Sequence, residues 1–185
     1  MPTRSHSGRE DRSPRHRWYV SARPRDGHEG NRRMRIRFEN HDLATEGCGQ
    51  FIDVTDDVAA VVERSRVREG MAVVYSPHTT CAVLINERES GFIEDFQEML
   101  DAIVPREGTY YRHDDLSIRT EGLDGDPHEI PNGHSHCRAA LMGSASQTIP
   151  VMDGELTLGR WQKIFFCELD RARQRKVFIQ VIGEG

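Results

Sequence analysis

Imidazole side chains dominate the chemistry that this sequence offers. Five of its nine histidines lie in three polar segments that flank one predicted buried strand: His78, His113, His128, His134 and His136. Imidazole is the commonest nitrogen ligand for zinc and similar ions in proteins. No pair among the five has the i, i+4 spacing that places two ligands on one helix face. A metal site made from these histidines must therefore collect its ligands from distant parts of the chain.

The spacing of His134 and His136 allows two arrangements. In an extended segment both imidazoles share a face and chelate together, whereas in a helix residues i and i+2 lie about 200° apart and only one reaches the site. Residues 137–141 have helical character, so we favour His136 as the ligand at a helix start, with His134 secondary. A helix start also offers unpaired N–H groups that suit an anion such as phosphate.

The stretch over residues 76–87 is predicted to be a strand buried on both faces. It runs from a polar tip into an unbroken apolar segment rich in β-branched residues. Because side chains alternate along a strand, His78 and Cys81 are expected to point to opposite sides. The far end of the stretch carries an amide and a carboxylate, on Asn86 and Glu87.

A second candidate strand begins at Gln162 and reaches Glu168. On one of its faces these two polar residues frame Ile164 and Phe166. Two polar groups around two apolar ones are typical of the wall of a ligand site. An exposed strand end at each polar residue explains the pattern equally well.

Charged residues near these segments also allow two interpretations. Four aspartates of the long loop offer oxygen ligands to a hard cation: Asp114, Asp115, Asp124 and Asp126. Three arginines near the end of the chain could hold a phosphate group: Arg171, Arg173 and Arg175. Acidic loop residues and charged turns are more often simply solvated, and we favour that interpretation for both groups.

Composition predicts a soluble single domain. The length of 185 residues suffices for one hydrophobic core, and the mean hydropathy is -0.66. No apolar run approaches the roughly 20 residues that span a bilayer. Four cysteines are scattered without a CxxC motif or a secretory signal, which predicts a reducing, cytoplasmic location. Buried, inert thiols are expected at Cys81 and Cys167.

Charge is unevenly distributed along the chain. The net charge is -5, yet residues 1–33 carry nine arginines and only four acidic residues. The remainder is therefore acidic, which argues against a general nucleic-acid binder. Residues 1–33 hold few apolar side chains and are predicted to form a disordered extension before a domain over residues 34–185. Alternatively, translation begins at Met34.

Periodicity and turn residues predict a mixed set of elements. Strands are expected at 34–39, 50–54, 76–87, 110–112, 147–152, 155–158, 160–169 and 176–182, and helices from Thr55 to near Gly70, over 92–103 and over 134–143. The first two strands are predicted to form a hairpin, and Asp153-Gly154 predicts another. Residues 113–133 read as a long loop, either functional or mobile.

The order of these elements predicts the fold class. Helices and strands occur without regular βαβ alternation, so we expect an α+β domain. Its sheet should be largely antiparallel, or a sandwich, with two to three helices.

Several segments together resemble the YjbQ family, also called secondary thiamine-phosphate synthase. The resemblance is carried by residues 78–87, the His113-Asp114 step, residues 135–143 and residues 154–168, which follow one another in the family's order. It covers about residues 34–185, and residues 1–33 have no counterpart. It implies a single α+β domain that assembles as a homotrimer with a histidine-rich, metal-binding pocket.

The resemblance also implies roles for individual residues. It indicates three metal ligands: His78, His113 and His136. Four further residues match recurrent family positions and are the expected catalytic groups: Asn86, Glu87, Gln162 and Glu168. Of these, Glu168 or Glu87 would orient a ligand or serve as acid or base. His134 matches only some members of the family.

The function implied is transfer of a pyrimidine-methyl group from its diphosphate to a thiazole phosphate, with release of pyrophosphate. This activity is weak in the family. A divalent metal ion, zinc or magnesium, would assist departure of the pyrophosphate. Two alternatives stay open: a metal-assisted hydrolase of a phosphorylated small molecule, and a non-catalytic trimeric protein that binds a phosphorylated metabolite.

Overall fold

The structure is a computed structural model that describes residues 33–123 and 130–185. Apart from Arg33, the predicted N-terminal extension lies outside the described residues, and so do Asp124, Asp126 and His128. Within these ranges the chain forms eight strands and three α-helices, and all strand pairs are antiparallel. The predicted α+β class with a largely antiparallel sheet is confirmed.

Two sheets make up the domain. The larger sheet has five strands in the order β1 (Met34–Ala44), β8 (Gln174–Glu184), β3 (Glu69–Tyr75), β5 (Ser146–Met152) and β6 (Glu155–Leu156). The smaller sheet has three strands in the order β2 (Gln50–Asp53), β7 (Gln162–Glu168) and β4 (Cys81–Glu87).

The predicted hairpin between the first two strands is wrong. β1 pairs with β8 along its whole length, with Met34 opposite Glu184, whereas β2 pairs with β7. Residues 45–49 carry the chain from one sheet to the other. That crossing is held from the far end of the chain, because the N–H of Thr45 donates to the carbonyl of Arg173 at 2.9 Å.

The predicted strand over residues 76–87 is also wrong in its first part. β3 ends at Tyr75 and β4 begins at Cys81, so a loop lies between them and carries His78. The N–H of Ser76 donates to the carbonyl of Ala145 at 2.8 Å, outside the β3–β5 ladder. β4 is buried only in its first half and becomes exposed towards Glu87.

Three helices connect the strands: α1 (Thr55–Ser65), α2 (Ser90–Ile103) and α3 (Gly133–Met142). The predictions for α2 and α3 are confirmed, and Gly143 ends α3 in the left-handed conformation with φ 67°. α1 ends earlier than expected, because Arg66 adopts φ 57° and donates its N–H to the carbonyl of Glu63.

Two short segments differ in how far they follow the sequence pattern. The expected strand at 110–112 is wrong, because a single 3-10 turn covers Arg112–Asp114. The expected Asp153-Gly154 hairpin is confirmed, with φ of 55° and 85° at its two central residues.

Two hydrophobic cores hold the two sheets and the helices together. The main core lies between the sheets and receives side chains from α1, β3, β5 and β8 on one side and from β4 and β7 on the other. The second lies on the opposite face of the small sheet, where Phe165 and Cys167 meet Leu100 of α2 and Met142 of α3. α3 is therefore packed directly over β4 and β7.

The outer face of the large sheet carries exposed apolar side chains that no described residue covers. β1 directs Arg37, Glu39 and His41 towards α1, where Arg64 donates to Glu39 at 2.7 Å. Met34, Ile36 and Phe38 therefore point outwards, and Ile36 is 65% exposed. Among the described helices, none has the length and apolarity needed to cross a membrane.

Candidate metal and substrate site

His78 lies on the loop between β3 and β4. Its Nε2 accepts the backbone N–H of Lys176 at 2.9 Å, and its ring stands edge-on to Phe166. Burial and the nearby charge of Arg175 lower the pKa of this imidazole, so it is neutral at pH 7. The loop is thus tied to the start of β8 through an imidazole.

α3 separates His134 from His136. Because the helix already begins at Gly133, the two rings lie on different sides of it. Of the two predicted arrangements, the structure therefore has the helical one and not the extended one. His136 lines a cavity. His134 is buried against Tyr111, with ring centroids 6.4 Å apart, and burial together with Arg138 lowers its pKa.

His113 comes from the 3-10 turn and lies against His136. The two ring centroids are 4.4 Å apart, with 38° between the ring planes. The Nδ1 of His113 lies 3.4 Å from Oδ1 of Asp114 and 3.3 Å from a guanidinium nitrogen of Arg119. Two histidines from separate segments are therefore brought together.

Asp114 is the residue that joins these two segments. Its Oδ1 accepts the N–H of Asn132 at 2.9 Å and the N–H of Gly133 at 2.8 Å. A Cβ at position 133 would lie 2.6 Å from Cβ of Tyr111, so only glycine fits there. The expectation that this helix start offers free N–H groups to an anion is wrong for these two, because Asp114 already occupies them.

A cavity of about 330 Å³ opens beside His136. It lies between the β3–β4 loop, α3 and the connection from α3 to β5. Its lining residues are Tyr75, Ser76, Pro77, His78, Thr79, Cys81, His136, Ala139, Ala140 and Ala145. His78 and Cys81 thus line one cavity, and the prediction that they point to opposite sides is wrong, because His78 does not lie on the strand.

The cysteine in this cavity is chemically inert. Burial and the nearby Glu168 carboxylate raise the pKa of the Cys81 thiol to about 12. Burial likewise raises the pKa of the Cys167 thiol. Both remain protonated at neutral pH, which agrees with the buried, unreactive thiols expected from the sequence.

Glu168 is fully buried in an ion pair beneath the His78 loop. Arg175 donates to both of its carboxylate oxygens at 2.7 Å, and the Thr45 hydroxyl and the Asp170 N–H donate at 2.9 and 3.0 Å. Burial opposes ionisation, but these hydrogen bonds outweigh it and hold the pKa of Glu168 below its ordinary value. Because all of these donors belong to the protein, the carboxylate holds Arg175 and its neighbours in place rather than facing a substrate.

The buried ion pair also reaches the loop that carries His78. Arg175 donates from its second terminal nitrogen to the hydroxyl of Thr80 at 3.0 Å. Sequence reasoning treated this arginine as solvated or as a phosphate ligand, and both interpretations are wrong, because only 5% of it is exposed. Arg173 instead pairs with the buried Asp170 at 2.9 Å.

The remaining predicted catalytic residues lie at the other end of the small sheet. In the β4–β7 ladder Cys81 is opposite Glu168, whereas Glu87 is opposite Gln162. Six residues of extended strand separate these two pairs, which is about 20 Å. Asn86, Glu87 and Gln162 are exposed at that far end, so a role for them at the cavity requires a neighbouring subunit.

Sequence reasoning missed two residues that shape the site. Asp114 was expected to be solvated, and Arg175 was not connected to Glu168. The only local signal for Asp114 is the polar Asn132-Gly133 pair that precedes a predicted helix, since such a start needs an acceptor for its free N–H groups. The acceptor comes from 18 residues earlier, where no capping pattern would locate it.

Comparison with known proteins gives a consistent result. A family model described as "UPF0047 protein YjbQ-like" matches residues 39–184. A UPF0047 protein of Methanothermobacter thermautotrophicus is 37% identical over 151 residues, which is 82% of this chain and 95% of that protein. The UPF0047 protein YugU of Bacillus subtilis is 33% identical over 76% of this chain and 96% of its own length.

Solved structures resemble the fold as well. A YbjQ-like protein of unknown function from Sulfolobus solfataricus superposes with a TM-score of 0.68 at 28% identity, covering 82% of this chain and all of that one. An uncharacterized protein of the yjbq/upf0047 family from Clostridium acetobutylicum gives a TM-score of 0.63 at 37% identity, covering 77% of this chain and 98% of that one.

We predict that Glu168→Gln destabilises the fold by about 3–5 kcal/mol at pH 7, because it leaves the buried Arg175 charge unpaired. The double variant Glu168→Gln/Arg175→Met should lose less than the sum of the two single variants. A carboxylate with a lowered pKa contributes stability above its ordinary value of 4.5 and loses it as the pH falls below that value. The cost of Glu168→Gln should therefore shrink between pH 5 and pH 3.

The prediction is checked by urea unfolding between pH 3 and pH 7 of the wild type, Glu168→Gln, Arg175→Met and the double variant. Arg64→Met is the control, because its partner Glu39 is paired at the surface and such a pair contributes about 1 kcal/mol at most. If Glu168→Gln unfolds like the wild type at pH 7, the positioning role of this carboxylate is wrong.

Proposed function

The chain belongs to the UPF0047 family of YjbQ-like proteins, and on that basis we propose that it is a metal-dependent transferase with thiamine-phosphate synthase-like activity. It would move a pyrimidine-methyl group from its diphosphate to a thiazole phosphate and release pyrophosphate. The observation that carries the proposal is the contact of the His113 and His136 rings at 4.4 Å, beside a cavity that His78 also lines.

Two of the three predicted ligands, His113 and His136, lie close enough together to bind one divalent ion. The lone pair of His113 Nε2 is left for a metal if the Nδ1–H points towards Asp114, 3.4 Å away. That tautomer requires the guanidinium of Arg119, itself a donor 3.3 Å from Nδ1, to move away from the ring. His136 supplies a second imidazole next to it. His78 can join them only after its Nε2 releases the N–H of Lys176.

The remaining ligands would come from outside these side chains. Over residues 33–123 and 130–185, no three His, Cys, Asp or Glu side chains are grouped so that they could hold a metal ion. Phosphate oxygens of the substrate are suitable ligands for zinc or magnesium, as are groups from a neighbouring subunit. We therefore propose that the metal and the phosphorylated substrate bind together.

A bound zinc or magnesium ion would act as a Lewis acid that neutralises the charge developing on the departing pyrophosphate. The chain's own residues bind and orient the reactants around it. Asp114 keeps the His113 turn against α3, and the Glu168–Arg175 pair holds Thr80 beside the His78 loop. We assign Asn86, Glu87 and Gln162 to a site that a neighbouring subunit would complete.

We further propose that the protein is a homotrimer whose contacts use the outer face of the large sheet. An aromatic row crosses three strands of that face, from Phe38 to Phe178 at 5.4 Å and on to Tyr75 at 6.2 Å. Phe38 is 56% exposed, and exposed apolar patches of this kind mark protein interfaces. Since Tyr75 also lines the cavity, a second copy on this face would lie next to the site.

A cytoplasmic location accompanies this proposal. All four cysteines are free thiols, and Cys137 is exposed. A reducing compartment keeps such thiols from oxidising.

The activity is tested with the purified pyrimidine diphosphate, with and without thiazole phosphate, in the presence of zinc or magnesium. We expect pyrophosphate release that requires the acceptor, and a loss of at least about 100-fold in His136→Ala. The control is His41→Ala, because the imidazole of His41 on β1 lies beside Glu39 of the same strand and Asp57 of α1. It should retain full activity.

Two results of this assay would contradict transfer. Phosphate or pyrophosphate release without thiazole phosphate would identify a metal-assisted hydrolase. Tight binding of the diphosphate without turnover, whichever ion is added, would identify a metabolite-binding protein.

The oligomer is tested by light scattering after size exclusion. The wild type should have three times the 21.1 kDa mass of one chain. Phe38→Asp should shift it to the monomer, because it places a charge in the proposed apolar contact. Ile103→Asp is the matched control, since Ile103 is a similarly exposed apolar residue at the end of α2. A trimer that persists in Phe38→Asp would exclude this face, and a monomeric wild type would exclude the assembly.

A further inference from the structure

The connection from β7 to β8 touches both halves of the candidate site. On one side the N–H of Leu169 donates at 3.2 Å to the carbonyl of Thr80, the last residue of the loop that carries His78. On the other side Oδ2 of Asp170 accepts from the side-chain amide of Asn132 at 3.3 Å, directly before the first turn of α3. The connection therefore bridges the His78 loop and the start of α3.

The backbone of this connection is held in place by the segment that crosses between the sheets. The N–H of Arg173 donates to the hydroxyl of Thr45 at 2.9 Å, and the N–H of Thr45 donates to the carbonyl of Arg173 at 2.9 Å. Gly47 forms an isolated antiparallel bridge with Arg171. Two arginine side chains thus project from a fixed backbone.

These two arginines share one carboxylate. Nη2 of Arg173 lies 2.9 Å from Oδ2 of Asp170, and Nη1 of Arg171 lies 3.5 Å from the same oxygen. The aspartate side chain is 4% exposed, whereas the side chains of Arg171 and Arg173 are 39% and 35% exposed. One carboxylate offsets only one of the two guanidinium charges, so one positive charge is left over beside the site.

A phosphorylated substrate needs a counter-charge that the cavity lining does not supply. None of the ten residues that line the 330 Å³ cavity is Lys, Arg, Asp or Glu. Two nearby guanidinium groups already have carboxylate partners: Arg175 donates to both oxygens of the buried Glu168, and the buried Arg138 pairs with Asp101. The half-exposed arginine pair on the β7–β8 connection is better placed to meet an anion from solvent.

We propose that Arg171 and Arg173 bind phosphoryl oxygens of the substrate beside the start of α3. A guanidinium presents parallel N–H donors that match the oxygens of a phosphate group, and it stays charged at neutral pH. Asp170 holds the two groups from the buried side, and the phosphate meets them from the exposed side. This inference deepens the transfer function proposed above and rests on it for the identity of the phosphorylated molecule.

The test measures binding of inorganic pyrophosphate and of thiazole phosphate by calorimetry, with magnesium and, separately, with EDTA. The variants are Arg171→Met, Arg173→Met and Arg173→Lys. Arg64→Met is the matched control, because Arg64 is also partly exposed and pairs with one carboxylate, that of Glu39, at 2.7 Å. The Tm without ligand shows whether each variant is folded.

We expect the wild type to bind at least one probe, and Arg171→Met and Arg173→Met each to lose at least about tenfold in affinity, because each removes charged hydrogen bonds. Arg173→Lys should fall between, since an ammonium keeps the charge without the parallel donors. Arg64→Met should change affinity by less than about twofold. If Arg173→Met does not fold, Arg171→Met carries the test, because its ion pair with Asp170 is the longer one.

Turnover kinetics identify the reactant that carries the bound phosphate. A KM that rises in Arg171→Met for the pyrimidine diphosphate alone assigns the arginines to the donor. A KM that rises for thiazole phosphate alone assigns them to the acceptor. Both results support the anion site, because both reactants present the same phosphoryl oxygens.

Two outcomes would overturn the inference. One is that neither probe binds the wild type in either condition, and the other is wild-type affinity in Arg171→Met or in folded Arg173→Met. A failure of the transfer function is distinguishable, because arginine-dependent pyrophosphate binding without any turnover would remove the proposed reaction and leave this anion site intact.

Discussion

The contact on which the candidate site depends is a carboxylate at the start of a helix. Asp114 accepts the N–H of Asn132, just before α3, and that of Gly133, its first residue, and its neighbour His113 thereby lies against His136. The interaction satisfies backbone donors that would otherwise be unpaired and places a negative charge at the positive end of the helix. One hydrogen-bonded group thus closes a long loop and assembles the imidazole pair.

A second constraint holds the other wall of the cavity. The buried pair of Glu168 and Arg175 reaches Thr80 and so fixes the end of the loop that carries His78. Removing one member of a buried pair leaves an uncompensated charge, so this wall is coupled to the stability of the sheet. The imidazole side and the carboxylate side of the site are therefore positioned by different parts of the fold, and they meet at the cavity.

The sequence predicted those features that depend on local pattern. α2, α3 with its Gly143 cap and the Asp153-Gly154 hairpin follow from periodicity and turn residues. The partner of β1 did not follow, because it lies at the opposite end of the chain and no local pattern encodes a pairing of that range. The alternation of apolar and polar residues in β1 is visible in the sequence, but it does not show which of the two faces of the strand turns towards the core. The candidate ligands were found by residue type, whereas their meeting depends on Asp114 and Gly133.

The central claim is that this imidazole pair holds a metal ion, and metal content by mass spectrometry tests it most directly. We predict one zinc or magnesium ion per chain in protein loaded with pyrophosphate, lost in both His113→Ala and His136→Ala and reduced in Asp114→Ala, while His41→Ala retains it. Circular dichroism would establish that the variants remain folded. One ion per chain retained in His113→Ala and His136→Ala would contradict the account.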